Sequence, residues 1–140
     1  DIKMSAIITA TIKSGNTSVK TANLVVEEVT RNATANLSIK DATGQITGLV
    51  KRGATYYLSI SGSSGLIKGD VLKASLVSTG ADGKATEELE LPSINYVNGS
   101  ECIWTFIIPS SWTTSMVALR VQHVNYYGRI IGTTYCNAYA

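Results

Sequence analysis

The chain begins with DIKMSAIITATIK, residues 1–13, and this stretch has the most regular pattern in the sequence. Apolar and polar residues alternate along it, and Ile7 is the one apolar residue at an odd position. Because successive side chains of a β-strand point to opposite faces, the pattern predicts a strand with one face built for a core. The apolar positions of that face are Ile2, Met4, Ala6, Ile8, Ala10 and Ile12.

The composition of the whole chain indicates a single globular domain. Its 140 residues are enough to enclose a hydrophobic core, and only 16% of them are charged, well below the usual quarter. The net charge is +2, without the clustered basic stripe that binding to nucleic acid requires. No apolar run approaches the roughly 18 residues of a membrane span, so we expect neither nucleic acid nor a membrane span among its interactions.

The spacing of apolar segments predicts an all-β fold. Nine to ten short strands recur at intervals of about ten residues, with Gly- and Asn-rich turns between them and no convincing helix. Residues 54–61 place Tyr56, Leu58 and Ile60 on one face, whereas residues 102–108 are apolar on both faces, as in a central strand. We therefore predict a single β-sandwich or jelly-roll-like domain.

The turn-rich residues 14–18 separate the first strand from the remainder. We accordingly divide the chain into an N-terminal strand, residues 1–13, and a β-sandwich body, residues 14–140. The chain starts at Asp1 and not at methionine, so we expect that a leader has been removed. Together with the low charge content, this favours a secreted, extracellular protein.

Two kinds of covalent modification are expected from this location. Cys102 and Cys136 are the only cysteines, and an even pair in a secreted chain predicts a disulfide, which contributes roughly 3–4 kcal/mol in the loop-entropy model. The sequence also contains four Asn-x-Ser/Thr motifs without proline, all in turns or on the polar face of a strand. The candidate N-glycosylation sites are Asn16, Asn32, Asn36 and Asn98.

The sequence is poor in residues that could catalyse a reaction. His123 is the only histidine, and no nucleophile motif such as Gly-x-Ser-x-Gly accompanies it, so we assign it a structural role and expect no enzyme. Asp41 or Asp82 could contribute to a calcium site, but no Asp-x-Asp-x-Asp spacing supports one. Zinc lacks ligands once the cysteines are paired, and we predict no metal and no cofactor.

Aromatic residues leave a binding function open. Seven tyrosines and two tryptophans could provide a stacking platform for carbohydrate, or could fill corners of the fold. The best placed tyrosines are near turns or the end of the chain, namely Tyr126, Tyr127, Tyr135 and Tyr139.

The N-terminal strand must be paired somewhere. Left exposed, each large apolar side chain such as Ile8 would forfeit on the order of 1.5–3 kcal/mol of burial, and long apolar edges aggregate. The strand therefore completes either its own sandwich or a neighbour's sheet. In the second case residues 14–18 are a hinge, and the chain forms a head-to-tail homopolymer.

An alternating N-terminal strand, an all-β body, a cysteine pair and several glycosylation motifs together resemble the secreted filament subunits that polymerise by donor-strand complementation. The glycosylated thread-like and bundling filaments of archaea are the most similar in layout, and the chaperone-usher pilins are similar more distantly. The resemblance implies an extracellular structural subunit that inserts residues 1–13 into a neighbour. The alternative is a monomeric secreted carbohydrate-binding or adhesive module that recognises surface glycans.

Overall fold

The computed structural model describes residues 5–15, 17–27, 31–79, 84–99 and 102–140. These residues form ten strands and no α-helix, which confirms the all-β prediction, although only eight of the strands belong to the two larger sheets and not the nine to ten predicted for the sandwich. The strands are β1 (Ser5–Ser14), β2 (Thr17–Glu27), β3 (Thr34–Lys40), β4 (Thr55–Ser64), β5 (Val71–Thr79), β6 (Ala85–Glu90), β7 (Ile94–Asn95), β8 (Ile103–Ile107), β9 (Met116–Val124) and β10 (Ile130–Tyr139).

The chain divides into two compact units, residues 1–31 and residues 32–140. In the first unit, β1 and β2 pair as an antiparallel hairpin, which we call the N-terminal ribbon. Only Gly15 and Asn16 separate the two strands, and Gly15 has a φ of 65°, a conformation that glycine adopts without strain. The turn-rich stretch after β1 therefore reverses the chain directly into β2.

The second unit, which we call the body, contains two antiparallel sheets. One has the order β10-β9-β5-β6, with the short β7 also paired to β5, and the other has the order β3-β4-β8. Backbone hydrogen bonds join the sheets along one side. The Ala33 N–H donates to the Ile131 carbonyl oxygen over 2.9 Å, and the Val50 N–H donates to the Tyr139 carbonyl oxygen over 2.9 Å.

The core lies between these sheets and follows the period-2 pattern of the sequence. Tyr56, Leu58 and Ile60 are all buried, which confirms the prediction that they share the inner face of β4. The sandwich-like arrangement of the body is thereby confirmed. The positions of the other strands that belong to the core cluster are Ala35 and Ile39 of β3, Leu72, Ala74 and Leu76 of β5, Trp104 and Phe106 of β8, Val117, Leu119 and Val121 of β9, and Ala138 of β10.

The prediction of a central strand over residues 102–108 is wrong. In the described part of the chain, β8 pairs only with β4 and ends the three-stranded sheet. Trp104 and Phe106 are each 3% exposed on its inner face, whereas Ile103 and Ile107 are 52% and 56% exposed. Apolar residues on both faces therefore occupy a strand at the edge of a sheet.

The predicted disulfide is also absent. Cys102 and Cys136, both within the described residues, are not bonded to each other. The Cys136 thiol lies 3.8 Å from the Leu37 carbonyl oxygen of β3, whereas Cys102 leads into β8 and its thiol donates to the Asn98 carbonyl oxygen over 3.4 Å. Cys136 lies on β10 and Cys102 precedes β8, and each thiol contacts a different backbone carbonyl oxygen instead of the other sulfur.

Candidate functional site

The register of the N-terminal ribbon places apolar positions of both strands on one face. Residues directly opposite each other in an antiparallel pair share a face. Ile8 pairs with Leu24 and Ala10 pairs with Ala22, so the alternation of β1 continues on β2. We call this the apolar face of the ribbon, and its positions are Ala6, Ile8, Ala10 and Ile12 with their partners Val26, Leu24, Ala22 and Lys20.

The opposite face of the ribbon is mainly polar. Thr9 pairs with Asn23 and Thr11 pairs with Thr21, and Ile7 with Val25 forms the one apolar pair on that side. Of the six candidate donor residues, Ile2 and Met4 lie outside the described residues. The contribution of β2 was missed from the sequence because Val25 interrupts the alternation of Ala22, Leu24 and Val26.

A ribbon of this kind needs a surface to pack against. Isolated two-stranded hairpins are at best marginally stable in water, because one pair of strands buries little apolar area. Covering a side chain of the size of Ile8 or Leu24 contributes about 1.5–3 kcal/mol. The apolar face of the ribbon is therefore the best candidate for an interaction surface in the N-terminal unit.

The edge of β8 is the second candidate surface. The Ile60 N–H donates to the Cys102 carbonyl oxygen over 3.4 Å, and the Ile108 N–H donates to the Ala54 carbonyl oxygen over 3.2 Å. In an antiparallel pair, alternate residues direct their backbone groups toward and away from the partner strand. Because even-numbered residues face β4, the N–H and C=O groups of Ile103, Thr105 and Ile107 face away from it.

The edge of β6 has a different composition. The Leu91 N–H donates to the Ala74 carbonyl oxygen over 2.9 Å, so odd-numbered residues of this segment face β5. Glu88 and Glu90 then direct their backbone groups outward, and both side chains are exposed. Glu88 also forms an ion pair with Arg120 of β9.

Glu87 connects the β6 edge to a nearby loop. Its carboxylate accepts hydrogen bonds from the Thr113 N–H over 3.0 Å, the Thr113 hydroxyl over 2.7 Å and the Thr114 N–H over 2.9 Å. Partial burial on its own would raise the pKa of Glu87, but these hydrogen bonds lower it below its ordinary value. The carboxylate thus fixes the loop and has a structural role.

His123 is fully buried and is held within the five-stranded sheet. Its Nε2 lies 2.8 Å from the Thr134 hydroxyl, and its Nδ1 has no hydrogen-bond partner among the described residues. Burial lowers the pKa of His123, and the nearby charge of Asp70 partly opposes this by raising it. The ring is therefore neutral near pH 7, and it has no exposed surface through which to contact a substrate.

The exposed tyrosines do not form one platform. Tyr126 and Tyr127 lie in the turn between β9 and β10, with ring centroids 5.7 Å apart at an interplanar angle of 88°. Tyr139 lies at the other end of β10, about 30 Å away at the rise of an extended strand, and Tyr135 lies between them. Tyr139 borders a recess of about 460 Å³ that Asp41 also lines.

Asp41 stabilises a turn at the rim of this recess. It accepts hydrogen bonds from the Thr43 hydroxyl over 2.6 Å, the Thr43 N–H over 2.9 Å and the Gln45 N–H over 3.1 Å. The bond from the Thr43 hydroxyl is the main cause that lowers the pKa of Asp41. The described residues contain no group of three or more His, Cys, Asp or Glu side chains suited to a metal ion, and Asp82 lies outside them.

Three of the four candidate glycosylation sites are exposed, namely Asn32, Asn36 and Asn98, and Asn16 lies outside the described residues. No helix of the described residues has the length and apolar character needed to cross a membrane. Comparisons of the chain with protein-family models, curated proteins and solved structures gave no match.

Proposed function

We propose that this chain is an extracellular structural subunit that assembles head-to-tail into a filament through its N-terminal ribbon. The observation that carries the proposal is the apolar face that β1 and β2 share by register. A ribbon with one apolar and one mainly polar face is built to cover a surface. The same segment of each subunit, docked on the next subunit, generates an open linear polymer.

The layout of the chain supports an assembly role over a catalytic one. Its only histidine is sealed in the body, and the carboxylates of Asp41 and Glu87 are engaged in holding turns. The arrangement of a strand-forming N-terminal segment and an all-β body resembles that of secreted filaments assembled by donor-strand complementation. The proposal differs from a single inserted strand in that a paired ribbon is the assembling element.

A secreted location agrees with the surface of the body. Asn32, Asn36 and Asn98 are exposed, so glycans at these positions would meet no steric obstacle from a buried side chain. Glycans there would coat the body of the subunit. We accordingly propose a glycosylated cell-surface appendage.

The test compares two pairs of substitutions on opposite faces of the ribbon. Ile8→Lys with Leu24→Lys places charge on the apolar face, and Thr9→Lys with Asn23→Lys places the same charge on the polar face of the same hairpin. The expected result is that the wild-type chain and the Thr9/Asn23 variant form filaments, whereas the Ile8/Leu24 variant stays monomeric. Light scattering after size separation and electron microscopy measure this.

Two outcomes would contradict the proposal. One is a wild-type chain that remains monomeric at every concentration tested, under conditions in which circular dichroism shows it folded. The other is equal assembly of both double variants, since charge on the apolar face should prevent its burial.

A monomeric glycan-binding module is the second candidate, and the recess beside Tyr139 is the observation that favours it. Tyr139 is 51% exposed, and the recess offers an aromatic face together with the polar groups of Asp41 and Thr47. Such a module should bind oligosaccharides as a monomer and lose that binding on Tyr139→Ala. Retention of binding in Tyr127→Ala, at the other end of β10, serves as its control.

A further inference from the structure

We propose that the edge of β8 is the acceptor site of this assembly and that β1 of a second copy of the chain adds to it as a fourth strand. This inference rests on the proposed function and names the two strands that meet. It is based on the composition of β8, on the state of the other sheet edges and on the composition of β1.

The composition of β8 is that of a strand with neighbours on both sides. Its five residues carry no charge, and its outward-facing side chains Ile103 and Ile107 are more than half exposed. Edge strands ordinarily carry charges or prolines that discourage pairing with another chain. With a further strand added, β8 becomes the central strand that its sequence predicts.

The other edges of the body are closed or protected. β3 and β10 are joined to each other by the bond from Ala33 to Ile131, so neither offers a free edge at that end. The edge of β6 carries the exposed carboxylates of Glu88 and Glu90 at the positions whose backbone groups face outward. Of the described body strands longer than two residues, only β8 has an uncharged edge with no other body strand beside it, since β3 lies against β10, where the Cys136 thiol is 3.8 Å from the Leu37 carbonyl oxygen.

β1 matches this edge better than β2 does. Lys13 is the only charged residue of β1, near its end, whereas β2 carries Lys20 and Glu27. β1 also has ten residues against the five of β8, so the whole of β8 can be paired. The added strand would supply partners for the N–H and C=O groups of Ile103, Thr105 and Ile107.

The occupant is another copy because the proposed function is a head-to-tail polymer, in which each subunit offers one ribbon and one acceptor edge. Apart from Lys13 near the end of β1, neither β1 nor β8 carries a charge, so little charge has to be desolvated when they pair.

The test uses a proline at the edge of β8. Thr105→Pro removes an N–H that faces away from β4, so the bonds within the sheet are kept and only the proposed bond to a new strand is lost. Glu90→Pro is the matched control, because it removes an outward-facing N–H at the edge of β6. Ile103→Lys with Ile107→Lys is a second acceptor variant, which changes exposed side chains only.

The expected result is that Thr105→Pro and the Ile103/Ile107 variant remain folded monomers by light scattering, whereas Glu90→Pro forms filaments. In addition, Thr105→Pro keeps its ribbon and the Ile8/Leu24 variant keeps its acceptor edge. Mixed together, these two should form 1:1 heterodimers that neither forms alone. Heterodimer formation also shows that the proline variant is folded.

Filaments of normal length from the Ile103/Ile107 variant would overturn the inference, as would loss of assembly in Glu90→Pro equal to that in Thr105→Pro. The failure of this inference differs from that of the proposed function. If the Ile8/Leu24 variant is monomeric while both acceptor variants assemble, the ribbon still drives assembly but docks elsewhere. If the wild-type chain does not assemble, the proposed function itself fails.

Discussion

Within the described residues of the body, the outer edges of β6 and β8 have no other body strand beside them, and they differ in kind. At β6, the residues whose backbone groups face outward are Glu88 and Glu90. At β8, the corresponding residues are Ile103, Thr105 and Ile107. One edge is acidic, and the other is uncharged and largely apolar.

This difference indicates which edge is a true end of its sheet. A carboxylate on an edge strand repels another strand and must be desolvated before pairing, so the β6 edge is protected. The β8 edge has no such protection, and apolar edges of this kind are sites at which another chain adds. Under the proposed assembly, the β6 edge therefore stays in solvent and the β8 edge receives the added strand.

The largest expected effect distinguishes the two faces of β8. Trp104 is buried, and its Nε1 donates to the Pro92 carbonyl oxygen over 2.8 Å. We expect Trp104→Ala to lower the free energy of unfolding by about 3–5 kcal/mol, since it leaves a large cavity in the core. Denaturant unfolding measures this change in free energy when Trp104→Ala is introduced into the Ile8→Lys/Leu24→Lys variant, which is expected to be monomeric.

Ile103→Ala in the same background is the control for this prediction. Ile103 is 52% exposed in the monomer, so its truncation should change the free energy of unfolding by less than about 0.5 kcal/mol. Its effect should appear in assembly instead. A loss of stability in Ile103→Ala comparable with that in Trp104→Ala would show that the outer face of β8 is already packed within the monomer.

The second effect concerns pH, which acts on the buried histidine in the interior of the five-stranded sheet. Because burial lowers the pKa of His123 below its ordinary 6.5, the folded state binds its proton less readily than the unfolded state does. The stability is therefore complete above pH 6.5 and falls as the pH drops toward the lowered value, with a slope of up to about 1.4 kcal/mol per pH unit.

Replacing the histidine isolates this contribution. His123→Gln should remove the slope just below pH 6.5, whatever its effect on overall stability, and unfolding curves at several pH values measure the slope. A slope that persists unchanged in His123→Gln would assign the acid sensitivity to another group.

The smallest expected effect comes from removing the charges of the β6 edge, so that it resembles the uncharged β8 edge. Glu88→Thr with Glu90→Thr removes both outward charges from β6 and should promote lateral association of filaments, seen as thicker bundles by electron microscopy. Glu88→Gln keeps one carboxylate at the edge and serves as a partial control. Bundles that do not thicken in the double variant would mean that charge is not what protects the β6 edge.

The sequence predicted which residues alternate between the buried and exposed faces of a strand, but it did not predict which strands are neighbours in the sheets. Tyr56, Leu58 and Ile60 alternate with polar residues, and burial of one face of β4 follows from that pattern alone. The position of β8 could not be predicted in the same way. A run that is apolar on both faces describes a strand flanked by two others, whether the second neighbour belongs to the same chain or to another.

For the ribbon and the cysteines as well, the sequence pattern did not give the spatial neighbours. The pattern of residues 1–13 predicted a strand with one apolar face, but the partner β2 depends on the tight turn at Gly15. The disulfide was inferred from composition and presumed location, and these do not specify distance. The sequence does not show that Cys102 contacts the Asn98 carbonyl oxygen and that Cys136, on β10, contacts the Leu37 carbonyl oxygen of β3.

Hydrogen exchange of the β8 backbone tests the central claim most directly. The amides of Ile103, Thr105 and Ile107 should exchange rapidly in the monomeric Ile8/Leu24 variant and at least about 100-fold more slowly in wild-type filaments. The amides of Trp104 and Phe106, which face β4, should be protected in both and serve as the internal reference. Equal exchange of the three outward amides in monomer and filament would contradict the account.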